Sequence, residues 1–333
     1  MNLRICISTL VILFIQSLVN AQSIEKFSID AGGASTTVGG IEILYTIGEV
    51  NVQEYSTPSF SVSEGFINAN LKISIDPKVF LQGPSLNASN PGLMNDILRS
   101  DDKLPVTSPY QDLVVINASV LNDGGTSGFG GTSDDIVDWV WVELRAANDN
   151  TKMVNGRSAL LQRDGDVVDL DGLTNLTMHA APTNYYVVVK HRNHLGVMSA
   201  STIGLSSNSV AIVDFKNSGF STFGTNAQIQ LTSGDMALWA GDVNNDGVVQ
   251  YVGDTPDSPS ILSFVLNDIG NVLNLPTHSV SGYYTYDVNL NGTTQYSGLA
   301  PDTPFILQNV LSHPGNSILN LSTYKIEEQL PEH

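Results

Sequence analysis

The sequence predicts a mainly β protein in three parts: a small N-terminal β module, a central antiparallel β-sandwich and a C-terminal module with two helices. Short segments in which apolar and polar residues alternate recur along the chain, as is typical of antiparallel strands. Gly, Asn and Asp separate these segments and predict turns. A duplication after residue 240 carries two apolar helical patterns, which predict the third part.

Length and composition limit the classes of protein that fit. A chain of 333 residues is long enough for two or three domains with their own apolar cores. It carries 33 acidic residues against 14 basic ones, for a net charge of −19. Because nucleic acid is a polyanion, this imbalance excludes a nucleic-acid-binding protein.

Residues 1–21 are predicted to be a cleaved signal peptide. Arg4 precedes an apolar run at 5–19, which is shorter than the roughly 20 residues that a membrane-spanning helix needs. A membrane anchor is the alternative. No later run is long and apolar enough to span a membrane, so we expect a secreted protein, extracellular or associated with the cell surface. The single cysteine, Cys6, lies in this segment, and the mature chain would therefore have no disulfide.

Residues 22–75 are predicted to form the N-terminal β module. Ile41–Ile47 and residues 60–66 alternate in the manner of strands, and Pro58 interrupts the chain before the second of them. The Asp-Pro pair at residues 76–77 marks the boundary to the next domain.

Residues 76–217 are predicted to be the antiparallel β-sandwich. Its strand candidates are rich in Val, Ile, Trp and Tyr, which suit a half-buried pleated surface: residues 112–120, 136–144, 185–191 and 209–215. Residues 91–98 are the one convincing helical stretch in this region. Residues 218–240 are predicted to be a linker or an edge strand.

The strongest signal is an internal repeat within residues 241–333. Residues 242–271 match residues 287–316 without a gap, and 16 of the 30 positions are identical. Each copy begins with an Asp- and Asn-rich loop and continues into an apolar helical pattern. We expect the apolar faces of the two helices to pack together.

Each copy has the spacing of a calcium-binding loop. Oxygen-bearing side chains at positions 1, 3 and 5, a Gly at position 6 and a backbone carbonyl at position 7 converge on one hard cation. The predicted ligands are, in the first loop, Asp242, Asn244, Asp246 and the carbonyl of Val248, and in the second, Asp287, Asn289, Asn291 and the carbonyl of Thr293. This all-oxygen set favours Ca²⁺ over Mg²⁺, which demands a tighter octahedral geometry.

The end of each loop departs from the EF-hand pattern. Position 12 is Gly253 or Gly298, which has no side chain to donate. The next acid shared by both copies is Asp257 in the first and Asp302 in the second, and we predict that it closes a lengthened loop. In one alternative each Asp is only a helix N-cap, and in another both loops are metal-free turns. The first loop has one more carboxylate, so we expect it to bind Ca²⁺ more tightly.

Two resemblances follow from these motifs. The duplicated loop and helix of residues 241–322 resemble a dockerin-type calcium repeat, which implies an interaction module and a cohesin-like partner. Segments at 138–145, 157–166 and 186–196 resemble large secreted bacterial proteins described as hemagglutinin-like. That second resemblance covers roughly residues 76–240 and implies an adhesive role, with an extracellular glycan or a surface protein as partner.

Three groups in the middle region are further candidates, each with a structural alternative. Four carboxylates within eight residues suggest either another calcium site or a solvated turn: Asp164, Asp166, Asp169 and Asp171. His191 and His194 are candidates for a general base or metal ligand, or for hydrogen bonds that fix a turn. Trp139 and Trp141 share one strand face, which suits either sugar stacking or the core.

Together these features predict an exported, calcium-binding protein of the adhesion or carbohydrate-handling kind, without catalytic activity. Calcium would then stabilise the fold in place of disulfides. The alternative is a polysaccharide-degrading enzyme or its carbohydrate-binding accessory subunit. A glycan-cleaving enzyme needs two carboxylates about 5 to 9.5 Å apart in a cleft.

Overall fold

The computed structural model describes residues 71–121 and 133–331 in full, together with the backbone of four strands between residues 32 and 63. The protein is mainly β, as the sequence predicts. It divides into two compact units, Met1–Asn70 and Leu71–His333, and each is described by itself. The predicted signal peptide lies outside the described residues.

The described residues of the first unit form two antiparallel strand pairs. β1 (Gly32–Val38) pairs antiparallel with β2 (Ile41–Ile47), and β3 (Glu54–Thr57) pairs antiparallel with β4 (Phe60–Ser63). β2 has the bounds that its alternation predicts. β4 covers the first part of the predicted segment 60–66, and the rest of that segment lies outside the described residues.

The strands of the second unit are mostly short. They are β5 (Lys72–Lys78), β6 (Phe80–Leu81), β7 (Ile136–Ala146), β8 (Asp149–Gln162), β9 (Val167–Val168), β10 (Leu176–His179), β11 (Asn184–His191), β12 (His194–Met198), β13 (Ile203–Gly204), β14 (Ala211–Asp214), β15 (Gln228–Gln230), β16 (Met236–Leu238), β17 (Val248–Val249), β18 (Ser279–Ser281), β19 (Thr293–Gln295) and β20 (Ile326–Glu327). The helices are α1 (Gln82–Ser85), α2 (Ile97–Ser100), α3 (Asp257–Asn267) and α4 (Thr303–Ser312). None of these described helices has the length and apolar character needed to cross a membrane.

The longest strands form a central sheet in the order β12-β11-β7-β8-β9, with β13 paired to β11. Every pair in this sheet is antiparallel. β7 is buried along almost its whole length, since both of its faces are covered by packed chain. Two smaller sheets have the orders β10-β5-β14 and β15-β16-β6. Because β14 runs parallel to β5 and β16 runs parallel to β6, the pairing is not antiparallel throughout.

Two segments differ from the sequence prediction. Residues 112–120, predicted as a strand, form a turn that leads into a short 3₁₀ helix. Asp112 accepts hydrogen bonds from the backbone N–H (2.8 Å) and the hydroxyl (2.6 Å) of Ser158, so side-chain bonds attach this segment to β8. The predicted helix at 91–98 does not form over most of its length: the chain turns at Gly92, whose φ is 79°, and the single helical turn of α2 begins only at Ile97.

Two apolar cores stabilise the second unit. The larger one contains the buried face of the central sheet, including Trp139. The smaller one lies between the two long helices, where Ile261 and Val265 of α3 meet Ile306 and Val310 of α4. Burying one large apolar side chain contributes about 1.5 to 3 kcal/mol. The apolar faces of the duplicated helices therefore meet in one core.

A buried pair of amides joins the two cores. The Gln82 side chain donates from Nε2 to Asn309 Oδ1 (2.6 Å), and Asn309 Nδ2 donates back to Gln82 Oε1 (2.8 Å). Gln82 Oε1 also accepts from the backbone N–H of Ala240 (3.0 Å). A buried amide without partners would cost about 1 to 3 kcal/mol, so this pair holds α1 against α4.

Candidate metal centres

The two predicted calcium loops fold in the same way, and each is organised around its first Asp. Loop 1 is residues 242–248 and loop 2 is residues 287–293. In loop 1 the Asp242 carboxylate accepts hydrogen bonds from the backbone N–H groups at positions 5 and 6, both at 3.1 Å. The Asp287 carboxylate accepts the equivalent two bonds in loop 2, at 3.1 and 2.7 Å. The duplicated sequence therefore specifies one local fold twice.

Position 4 of each loop has a left-handed backbone conformation. This residue is Asn245 in loop 1, with a φ of 59°, and Leu290 in loop 2, with a φ of 54°. Asn adopts this conformation readily, whereas for other side chains it costs about 1 to 2 kcal/mol. Leu290 is only 1% exposed and lies in the larger core, which offsets that cost.

The other predicted ligand side chains also bond within their own loops. In loop 2, Asn289 Oδ1 accepts from the backbone N–H of Asn291 (3.0 Å), and Asn291 Oδ1 accepts from that of Thr293 (2.8 Å). Val248 is the first residue of β17 and Thr293 is the first residue of β19, so the predicted carbonyl donors belong to short strands. The predicted donors thus occupy equivalent positions in the two copies.

Asp257 and Asp302 are completely buried and bond to their loops. Oδ1 of Asp257 accepts from the backbone N–H of Val243 (3.0 Å), and Oδ2 accepts from that of Gln250 (2.8 Å). Asp302 makes the equivalent bonds, at 2.8 and 2.9 Å. Neither side chain bonds to the first turn of its helix, so neither acts as an N-cap side chain. Each carboxylate therefore links the second residue of its loop to the glutamine two residues beyond the loop.

Two glutamines that sequence reasoning did not single out stabilise the turn between each loop and its helix. Gln250 Oε1 accepts from the backbone N–H of Thr255 (3.0 Å), and Gln295 Oε1 makes the equivalent bond at 3.0 Å. A side chain at Gly253 or Gly298 would collide with the neighbouring glutamine, which explains why position 12 has none. Gln250 and Gln295 occupy the same position in the two copies of the repeat, and this identity is the sequence signal that could have found them.

Burial disfavours the ionised form of these four carboxylates. Burial raises the pKa of Asp257 to about 8 and that of Asp242 to about 7, and repulsion between their charges adds to the shift of Asp257. Burial also raises the pKa of Asp287 to about 6, although the nearby Arg192 opposes this, and raises the pKa of Asp302 well above its usual range. In the described part of the chain, none of these carboxylates forms an ion pair with Lys, Arg or His.

The donor set of loop 1 has the chemistry, but not the arrangement, of a site for a hard divalent cation. Among the described residues, no three His, Cys, Asp or Glu side chains are gathered closely enough to hold a metal ion. Asp246 instead directs its carboxylate to the backbone N–H of Val248 (2.9 Å), and Asn244 accepts from the N–H of Asp246 (3.0 Å). Both side chains are exposed, so they can turn towards Asp242 and Asp257. Carboxylate, amide and carbonyl oxygens are the ligands that Ca²⁺ prefers.

The surroundings of the two loops differ. The tip of loop 1 is exposed, and Glu328 is near enough to repel the charge of Asp242. Loop 2 is packed against the rest of the second unit: the Lys103 side chain lies against Gly292, and the Arg192 charge acts on Asp287. Loop 1 therefore lies among acidic groups, whereas loop 2 lies beside cations.

The four carboxylates between residues 164 and 171 do not form a common site. Asp166 pairs with Lys78 (2.7 Å), and Asp169 pairs with Arg157 (2.6 Å). Asp164 accepts from the backbone of Asp166, and Asp171 accepts from the backbone N–H groups two and three residues later. These bonds support the turn interpretation of the segment.

His191 and His194 belong to a buried hydrogen-bond network that reaches the segment just before loop 2. His194 Nε2 accepts from the backbone N–H of Gly83 (3.1 Å), so its proton is on Nδ1, which lies 3.0 Å from His191 Nδ1. His191 Nε2 then donates to Asp138 Oδ2 (3.1 Å). Burial lowers the pKa of His191, against the pull of Asp138, and lowers that of His194 well below its usual range. Both imidazoles are therefore neutral.

Arg192 carries the positive charge of this network. Its Nε donates to Asp138 Oδ2 (3.1 Å), and its Nη1 donates to the carbonyl of Tyr284. Burial alone would raise the pKa of Asp138, but Arg192, His191 and Tyr283 lower it to about 2. The network binds the central sheet to the segment just before loop 2. Sequence reasoning missed Asp138 because it lies far from the two histidines along the chain.

The two tryptophans have different environments. Trp139 is fully buried and donates from Nε1 to the carbonyl of Pro105 (2.8 Å), which places it in the core. Trp141 is 6% exposed, donates to Glu143 Oε1 (3.1 Å) and has its ring 5.8 Å from that of Tyr110. Trp141 therefore lies at the edge of the core.

Compared with protein-family models, curated proteins and solved structures, the chain has no match in any of the three.

Proposed function

We propose that this protein is a secreted, non-catalytic calcium-binding protein that acts in adhesion or another extracellular interaction, through a sandwich-like β domain and a dockerin-like module. One observation carries the proposal. Each repeat buries two carboxylates, Asp242 with Asp257 and Asp287 with Asp302, and no basic side chain in the described residues forms an ion pair with them. Buried negative charge of this kind is stable when a bound cation neutralises it.

The proposed ligands of each ion are the donors named from the sequence. Asp257 and Asp302 remain able to bind a cation although both of their oxygens accept a backbone hydrogen bond, because each carboxylate oxygen has two lone pairs. Bound Ca²⁺ would supply the missing positive charge and draw the exposed side chains of Asn244 and Asp246 inward. Extracellular calcium modules bind with dissociation constants of about 0.1 to 1 mM, which suits an exported protein.

Calcium binding would also stabilise the packing of the two long helices. The two Asp residues at the helix starts fix the position of α3 and α4, and these helices form the smaller core. Because Ca²⁺ binds only the folded loops, its binding energy adds to the stability of the folded state.

Isothermal titration of the full chain with CaCl₂, after removal of metal on a chelating resin, tests this proposal. Two binding events and a rise in melting temperature are expected. Asp257→Asn should remove one event, because it neutralises a buried ligand. Asp254→Asn should keep both, because Asp254 is an exposed residue of the turn between loop 1 and α3. Absence of binding heat together with an unchanged melting temperature would overturn the proposal.

A further inference from the structure

A cavity of about 340 Å³ opens between the central sheet and loop 1. The sheet side is formed by Trp141 and Glu143 of β7 and by Lys190 of the neighbouring β11. The opposite side is formed by loop 1 and by one residue of the C-terminal segment: Asp242, Asn245, Gly247 and Glu328. The volume is in the range of small-molecule binding sites.

The lining combines ring surface with hydrogen-bonding groups. Trp141 and Tyr110 supply apolar ring surface, while Gln111 and Asn245 are exposed polar side chains at the rim. A sugar ring has the matching character, because its C–H groups pack on aromatic rings and its hydroxyls both donate and accept hydrogen bonds.

One buried donor in the lining has no partner. Arg192 is 6% exposed, and its Nη2 makes no hydrogen bond with any described residue. That nitrogen has almost no accessible surface, and the guanidinium carbon lies 4.1 Å from the centre of the Tyr283 ring, so the group packs on this ring and does not donate into the cavity. The donors and acceptors available to a ligand are therefore the exposed polar side chains at the rim.

The charges of the lining favour a neutral ligand. Its two cations are already paired, Arg192 with Asp138 at 3.1 Å and Lys190 with Glu143 at 3.7 Å. Glu328 adds negative charge on the opposite side, and Asp242 adds more whenever it is ionised and no cation is bound. An anionic ligand would therefore meet repulsion from these carboxylates, whereas a neutral one would not.

We infer that this cavity binds a neutral saccharide unit and that the state of loop 1, but not that of loop 2, controls its affinity. The calcium-dependent part rests on the proposed function, since Asp242 both lines the cavity and is a proposed Ca²⁺ ligand. Calcium at loop 1 would fix the position of Asn245 and Gly247 in the cavity wall. Loop 2 contributes no residue to the lining.

Saturation-transfer NMR and tryptophan fluorescence on the full chain test the inference. The probes are the methyl glycosides of glucose, galactose, mannose and N-acetylglucosamine, with glucuronic acid as the anionic comparison. At least one neutral glycoside should bind in calcium and bind at least about tenfold more weakly without it. Binding of glucuronic acid alone, or of no probe, would overturn the inference.

Variants separate the cavity from the metal sites. Lys190→Met should weaken binding of the glycoside by about tenfold, and the matched Lys152→Met, on the exposed part of β8, should not. Asp257→Asn, which lies outside the cavity lining, should abolish the calcium effect, whereas Asp302→Asn should keep it. Equal loss in both Asp variants would contradict control by loop 1, provided that thermal unfolding shows both are folded.

The two proposals fail in different ways. If calcium binds at two sites but no neutral glycoside binds, the cavity inference is wrong and the calcium proposal stands. If a glycoside binds equally well with and without calcium, and no calcium uptake is measured, the proposed function and the control by loop 1 are both wrong.

Discussion

Loops 1 and 2 share one sequence pattern and one set of hydrogen bonds, yet they occupy opposite environments. Loop 1 has an exposed tip beside Glu328, whereas loop 2 is packed between the central sheet and its own helix. The largest difference is at position 4, where Asn245 faces solvent and Leu290 enters the larger core. A duplicated segment can thus keep its internal geometry while its copies take different roles, one at a surface cavity and one in the packed interior.

The largest expected effect concerns the buried network of Asp138, His191 and Arg192, which lies next to loop 2. Asp138→Asn should destabilise the protein by about 3 to 5 kcal/mol, because it leaves the buried Arg192 charge without its counter-ion. Urea unfolding measures this change in free energy. Asp149→Asn, at the exposed start of β8, is the control: the amide oxygen can still accept the two bonds from Thr151, so the unfolding midpoint should change far less. Similar midpoints for the two variants would show that the network does not anchor loop 2.

Exchanging the residues at position 4 tests whether Asn245 belongs to an exposed loop and Leu290 to a packed one. Leu290→Asn should lose about 2 to 3 kcal/mol of stability, because the lost burial exceeds the relief of the left-handed backbone cost. The reciprocal Asn245→Leu should lose only about 1 kcal/mol, since it introduces that backbone cost at an exposed site. Chemical denaturation of both variants gives the comparison. Equal losses would mean that the packing of Leu290 does not distinguish the loops.

The last test concerns how the stabilisation by calcium depends on pH. The pKa of Asp242 is raised to about 7 and that of Asp257 to about 8, so the metal-free protein should lose stability as pH rises from about 4 through these values. Bound Ca²⁺ removes this loss, because it neutralises the ionised carboxylates. The difference in melting temperature with and without CaCl₂ should therefore grow between about pH 5 and pH 8. A difference that shrinks over this interval would contradict the proposed ligands.

Strands with a strong local signal were predictable from the sequence. The runs of Val, Ile, Trp and Tyr in β7 and β11 identify them, because such side chains suit a buried sheet. β8 was missed, since its first half is polar and exposed and its place follows from pairing with β7. Residues 112–120 have a similar composition to a strand, but the bonds between Asp112 and Ser158 determine their path.

For the candidate site, too, local features could be predicted from the sequence and long-range contacts could not. The internal bonds of both loops follow from residue spacing, because they join residues within one short segment. The contact of Leu290 with the sheet, the Asp138–Arg192 pair and the cavity beside Trp141 depend on which distant segments meet. That information lies in the tertiary packing, and a single sequence shows no pattern for it.

The amide pair between Gln82 and Asn309 has a consequence for how the protein folds. Its partners are 227 residues apart, and Arg145 of the central sheet similarly donates to the carbonyl of Pro331, 186 residues later. Contacts at such separation require closure of very long loops and slow the final step of folding. The unit of residues 71–333 therefore cannot complete these contacts before α4 and Pro331 have been synthesised, and a product truncated before α4 would leave the Gln82 amide without its Asn309 partner.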